Sequence, residues 1–490
     1  MTRENLLQTG SPLFCDLYHL SMAQTWFLDG KANEPKTSEA FFRRYPFGGS
    51  YVISAGLAEF IEWLKNWHFS DEDINYLRSE KYADGTPKFE ESFLKFIQNE
   101  KLKISVDAVP EGRLIFANEP VYSVFGPTWQ VELVEAALLN IFNSQSLIAT
   151  KASRMAYAAC LDGVERPLLE FGLRRAQDFG CFSATRAAYI GGATATSNVA
   201  AAKHYHIPSS GTMAHSFVMS YEKELDAFKA FMRYNPKNTS LLVDTYNICT
   251  GIQNAIKAAQ ETGLDLMGVR IDSGDLAYWG KEARHMLDNA GFKNTKLIAS
   301  NDLDEHLIEN LVAVQKAPYD VFAAGTKLVT AYDTPALGGV FKTKSYKGKP
   351  QIKVAEGKTT IPGATNVIRI LRNGLFEGDI ICQKSDTNLI KNGKLSKNIT
   401  SYNLTELKGK NRIFKKGEEA QYLLENIISD GKIINIPETN LSKLHNRTKD
   451  ELSHLDETYK RLSNPHIYGV GLEEHLYDLR EKLIKKHLKG

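Results

Sequence analysis

A histidine among small residues, an arginine two positions before an aspartate, and a late Gly-Thr turn are the residues of this chain whose types suit phosphate or carboxylate chemistry. The segment RIDSGD (270–275) closes an apolar run, so Arg270 and Asp272 fall on one side of an extended strand. A planar guanidinium binds phosphate or carboxylate through two parallel hydrogen bonds, and a carboxylate beside it accepts a sugar hydroxyl or holds Mg²⁺ through water. The same spacing equally suits an internal Arg–Asp ion pair. His215 follows a Gly-Thr turn in PSSGTMAHSF (208–217), and an imidazole accepts a phosphoryl group when one ring nitrogen is free and the other is held. It is one of twelve histidines, and only context selects it.

Other segments bring donors to the same kind of place. YIGGATATSN (189–198) pairs glycines with small hydroxyl residues before a helix-like stretch, which fits either an anion cradle or a tight turn with close helix packing. Gly325 and Thr326 follow the last apolar run, where barrels often place a phosphate. FGLRR (171–175) sets an aromatic face beside two cations, which suits a flat anionic ring; a buried Phe next to surface arginines is the ordinary alternative. SLLVDTYNICTG (240–251) faintly resembles a strand–acid–Thr-Gly phosphoribosyl loop but lacks an adjacent acidic pair. GxxxxGK[ST], HExxH and GxSxG signatures are absent.

The elements that must position these residues follow a βα cadence from about 166 to 330. Short apolar runs at 167–171, 188–190, 240–244, 267–272, 296–301 and 321–325 are separated by amphipathic stretches, as parallel strands with crossover helices require. Glu170, Asp244, Arg270, Asp272, Ser300 and Gly325 all sit at the carboxyl ends of these runs, the edge where α/β folds bind ligands. A barrel is preferred, with an open doubly wound sheet as the alternative. The flanks differ. The first ~130 residues mix aromatic helical stretches with β-like runs such as 51–54, and 338–383 alternates in strand fashion. The expected division is 1–135 as an N-terminal α/β domain, 136–335 as the barrel, 336–385 as strands completing the first domain, and 386–490 as a partly helical extension ending in a charged surface helix.

Size and charge agree with several domains and a local anion site. Single cores stop growing at about 250–300 residues, so a chain of 490 divides. Sixty Lys+Arg against 58 Asp+Glu leave a net charge of +2, which selects no nucleic acid. The opening MTRENLLQTGSPLF lacks a signal-peptide core and no run of about 18 apolar residues spans a bilayer, so a cytoplasmic protein without membrane contact is expected. Cys15, Cys160, Cys181, Cys249 and Cys382 are odd in number and lack CxxC spacing, which predicts reduced thiols.

Taken in order, DLYHLSMAQ (16–24), FFRR (41–44), NSQSLIATK (143–151), EFGLRRAQ (170–177), GTMAH (211–215), VRIDSGD (269–275) and Gly325-Thr326 resemble the nicotinate phosphoribosyltransferase family of type II phosphoribosyltransferases. The resemblance implies an irregular α/β (TIM-like) barrel beside a discontinuous α/β domain, and a homodimer with active sites at the interface. It implies formation of nicotinate mononucleotide and pyrophosphate from nicotinate and phosphoribosyl pyrophosphate in NAD salvage, with Mg²⁺ (or Mn²⁺) and with ATP phosphorylating His215. Carried over by motif, Tyr18 from the partner subunit and Phe171 sandwich the pyridine. Thr212, Arg174 and Arg270 reach the nicotinate. Arg174, Ser273, Asn301, Asp302, Gly325 and Thr326 contact the phosphoribosyl and phosphate groups, and Asp272 acts in catalysis and holds metal through water. Nicotinamide-using relatives carry an aspartate where this chain has Ala195, so the acid is the expected substrate. The alternatives are a nicotinamide or quinolinate phosphoribosyltransferase, a phosphosugar lyase or isomerase on the same barrel, or a catalytically silent metabolite-binding paralogue.

Overall fold

The structure, a computed structural model, describes residues 10–355, 358–404 and 411–488. Residues 1–9, within the stretch read as lacking a signal-peptide core, and the last two of the charged tail lie outside the described residues. The chain forms two compact units, Ile148–Pro335 and a second built from Met1–Leu147 with Ala336–Gly490.

The Ile148–Pro335 unit holds six parallel strands: Leu168–Glu170, Ala195–Thr196, Ser240–Leu242, Gly268–Ile271, Lys296–Ala299 and Val321–Ala324. The sixth pairs with the first, and the order then runs back through the fifth and fourth to the third, with the second on the far side of the first. That order is cyclic, as in a barrel; a doubly wound sheet would reverse direction at a switch point. The ring is interrupted between the second and third strands, where no ladder is formed among the described residues. It is therefore an irregular α/β barrel. Apolar side chains on both faces of these short strands are buried, and the helices Ile248–Thr262 and Leu276–Asn289 turn apolar faces inward.

One run differs from its reading. Residues 188–190 lie not in a strand but in the helix Gly180–Gly191, and the strand follows at Ala195–Thr196. That helix is buried nearly all round, from Ser183 to Gly191, so its short apolar run carries no helical period to distinguish it from a strand.

In the other unit, a seven-stranded antiparallel sheet runs Lys349–Pro350, Val340–Tyr346, Pro35–Phe41, Tyr122–Pro127, Ser105–Ala108, Glu425–Ser429 and Lys432–Ile433. A second, eight-stranded sheet is centred on the hairpin Thr365–Arg372 and Leu375–Gln383, whose core includes Ile368, Ile370, Ile380, Cys382 and Phe414. The segment beyond 386 thus supplies strands to both sheets, and its charged end is the largely exposed helix Glu474–Leu488. The five cysteines are unpaired thiols. Among the described residues no helix is long and apolar enough to cross a membrane.

Candidate active site

Strand register builds the site. Leu242, Arg270 and Ile298 are side-by-side partners. Two residues further on, Asp244, Asp272 and Ser300 therefore fall in line at the carboxyl ends of three neighbouring strands. The Asp272 N–H donates to Asp244 Oδ2 (2.8 Å), the Ser273 hydroxyl donates to the same oxygen (2.6 Å), and the Ser300 hydroxyl donates to Asp272 Oδ1 (2.5 Å). Arg270 lies among them, giving Nη2 to Asp272 Oδ1 (3.0 Å), Nε to Ser300 Oγ (2.9 Å) and Nη1 to Thr212 Oγ1 (3.3 Å). The internal ion pair and the binding guanidinium are thus one arrangement. The pair pre-orients Arg270, whose Cζ stands 5.6 Å from the centre of the Phe171 ring, within cation–π range.

His215 opens the short helix His215–Met219, with Nδ1 3.1 Å from the Thr245 hydroxyl. Its Nε2 faces two carboxylates, Asp272 Oδ2 at 3.7 Å and Asp244 Oδ1 at 3.9 Å, both beyond hydrogen-bond reach, and the side chain is 42% exposed. Asp244 Oδ1 is buried without a hydrogen-bond partner among the described residues. A buried carboxylate oxygen left open beside an imidazole fits a cation or a proton donor that arrives with substrate. The sequence places Asp244 and Ser300 at the ligand-binding edge without a specific role and gives Thr245 none. The signal that finds them is cross-strand register.

Phe171 is tied to the last strand by its N–H, which donates to the Ala324 carbonyl (2.7 Å), so it lies beside the turn at Gly325 and Thr326. Just before it, Glu170 is buried and fully used, accepting from the Gly172 N–H, the Thr185 hydroxyl (2.8 Å) and the Thr196 hydroxyl (2.5 Å). Asn301 and Asp302 are exposed at φ 81° and 43°, left-handed conformations that short polar side chains tolerate in tight loops. Arg174 is exposed, and among the described residues the hydrogen bonds of Arg270 go to Thr212, Asp272 and Ser300 instead. The glycines of 189–198 take the packing role, because a Cβ on Gly191 would fall 2.0 Å from the Ala149 carbonyl oxygen. Ala195 is buried in its strand. Tyr18, in the other unit, is 52% exposed, and burial followed by the charges of Glu135, Asp16 and Glu132 raises its hydroxyl pKa above the usual value.

Fold and site define an α/β-barrel protein with a guanidinium–carboxylate–imidazole centre at the carboxyl ends of its strands. Family models described as the nicotinate phosphoribosyltransferase N-terminal domain, family and C-terminal domain match residues 13–143, 167–361 and 365–480. The chain belongs to the nicotinate phosphoribosyltransferase family. It is 41% identical to the nicotinate phosphoribosyltransferase of Bacillus subtilis (strain 168), over 94% of this chain and 93% of that one. It is 31% identical to the Caenorhabditis elegans enzyme of the same name, over 96% and 93%. The crystal structure of human nicotinic acid phosphoribosyltransferase superposes with a TM-score of 0.81 at 26% identity, covering 96% of this chain and 99% of the human one.

Proposed function

We propose that this chain joins nicotinate to the ribose 5-phosphate of phosphoribosyl pyrophosphate, releasing pyrophosphate, and uses ATP through a phosphate carried on His215. The observation that supports this reading is the single cluster in which Arg270 holds Thr212, Asp272 and Ser300 while lying against Phe171, with His215 facing Asp272 at 3.7 Å. Departure of pyrophosphate leaves positive charge at C1 of the ribose. Catalysis therefore needs the leaving anion stabilised and the pyridine nitrogen held in line, and no covalent enzyme–sugar bond is required.

In this reading Phe171 and the partner subunit's Tyr18 hold the ring, while Thr212, Arg174 and Arg270 hold its carboxylate. Ser273, Asn301, Asp302, Gly325 and Thr326 hold the phosphates. Asp272 and the open Asp244 Oδ1 are hard oxygen donors of the kind Mg²⁺ takes, directly or through water. Bound there, the ion would neutralise developing charge on the pyrophosphate. For His215, ATP's γ-phosphorus bonds a ring nitrogen and ADP leaves. The phosphate so added, about −1.5 to −2 in charge by analogy with other phosphorylated side chains, draws the arginines and loops of the site together, and its hydrolysis after turnover resets them. The protein works as a cytoplasmic homodimer; Leu17 and Tyr18, exposed at 54% and 52%, give the helix Leu17–Leu28 the apolar tip such an interface needs.

Incubation with phosphoribosyl pyrophosphate, Mg²⁺, ATP and each of nicotinate, nicotinamide and quinolinate, with mononucleotides resolved by chromatography, tests the assignment. Only nicotinate should be converted, and Ala195→Asp should depress its turnover by placing a carboxylate near the substrate's own. Equal turnover of nicotinamide, or none of the three, would count against the reading.

A further inference from the structure

His19 follows Tyr18 in the helix Leu17–Leu28 and is fully buried. The Asp16 N–H donates to His19 Nδ1 (3.2 Å), so Nδ1 carries the lone pair and the proton of the neutral ring sits on Nε2. Nε2 has no hydrogen-bond partner among the described residues, and the carboxylate it faces is Glu135 Oε2, 3.8 Å away at the start of the long helix Glu135–Ala159. The Tyr18 ring lies against the imidazole, with centroids 4.0 Å apart and planes at 41°.

Distance alone makes His19, Glu132 and Glu135 a candidate metal centre, since one ligand atom from each lies within 4.8 Å of the others. The tautomer argues otherwise. An imidazole that ligates through one nitrogen donates from its other nitrogen, whereas Nδ1 here accepts. Glu132 is moreover taken by the Lys36 ammonium. What remains is a ring that accepts from the start of its own helix, points a donor at the helix Glu135–Ala159 and backs one side of an exposed tyrosine.

We propose that His19, as the neutral Nε2–H tautomer, is a positioning residue for the pyridine ring: it fixes Tyr18 so that the exposed face stacks on nicotinate bound in the partner subunit. This rests on the role given to Tyr18 above. An aromatic side chain held before the ligand arrives loses less freedom on binding, so the effect belongs in ground-state affinity.

Steady-state kinetics of Tyr18→Ala, His19→Leu and His19→Gln test it. Glutamine accepts through its oxygen and donates through its nitrogen, reproducing both polar roles, whereas leucine keeps only bulk. His19→Leu should raise KM for nicotinate about tenfold with kcat nearly unchanged, and His19→Gln should stay near wild type. If Tyr18→Ala raises KM but His19→Leu does not, or the two His19 variants are equally impaired, the positioning role is overturned. If Tyr18→Ala has no effect, the reading of Tyr18 is at fault instead. Should His19→Leu fail to fold, ¹⁵N chemical shifts of the wild-type imidazole give a separate readout. The neutral Nε2–H form supports the proposal, while an Nδ1–H ring, an imidazolium, or stoichiometric Zn²⁺ binding through His19 overturns it.

Discussion

Arg270 makes three side-chain hydrogen bonds in three directions, to Thr212, Asp272 and Ser300. A lysine has the charge but not the planar fork, and cannot satisfy all three acceptors while presenting a flat cation to Phe171. Arg270→Lys should therefore fold and lower kcat/KM by about 10²-fold or more, the scale of losing an oriented donor to developing charge. Activity within a few-fold of wild type would show that charge alone is needed. At this scale much was legible from spacing. Arg270 and Asp272 share a side because strands alternate, and they meet at 3.0 Å. The open oxygen of Asp244 was not legible, because it depends on which strand lies beside which.

Elements position those residues through close approach as much as through pattern. In the helix Ile248–Thr262, Gly251 comes so near the preceding strand that a Cβ would lie 1.9 Å from the Val243 carbonyl oxygen. The Thr-Gly of 240–251 is thus a packing feature of the connection that carries Asp244 and Thr245. Gly251→Ala should cost about 1–3 kcal/mol of stability and displace that loop. Denaturant midpoints check the first part, and a drop in kcat larger than folding loss explains checks the second. Five of the six apolar runs read from sequence are the strands observed, because a short buried strand between polar ends leaves an unbroken apolar segment. The run at 188–190 failed since a helix buried nearly all round leaves the same trace.

At the scale of the whole molecule, the chain beyond 386 is woven into the unit that the N-terminus begins, and a buried charge network shows the consequence. Arg369, fully buried, is held by Asp379 (Nη2–Oδ2 2.6 Å) and by Glu451 (3.1 Å), and the Tyr468 hydroxyl donates to Asp379 (2.9 Å). Desolvation, then the charge of Asp379, push the Glu119 carboxyl well above its usual range. The folded chain therefore binds more protons than the unfolded one between the ordinary carboxyl range and that raised value. Over this window stability falls as pH rises. Glu119→Gln, which keeps a neutral amide in place of the neutral acid, should gain on wild type in melting temperature as pH rises above the ordinary carboxyl range. Parallel melting curves would refute this. Such long-range pairing was not legible in sequence, where 386–490 reads only as a partly helical extension ending in a charged surface helix.

The most direct test of the account is mononucleotide formation from nicotinate, phosphoribosyl pyrophosphate and Mg²⁺, with and without ATP, in wild type and His215→Ala. Wild type should be stimulated by ATP, and the variant should keep a slow transfer that ATP does not change. Full stimulation of His215→Ala by ATP would contradict a phosphate carried on that ring.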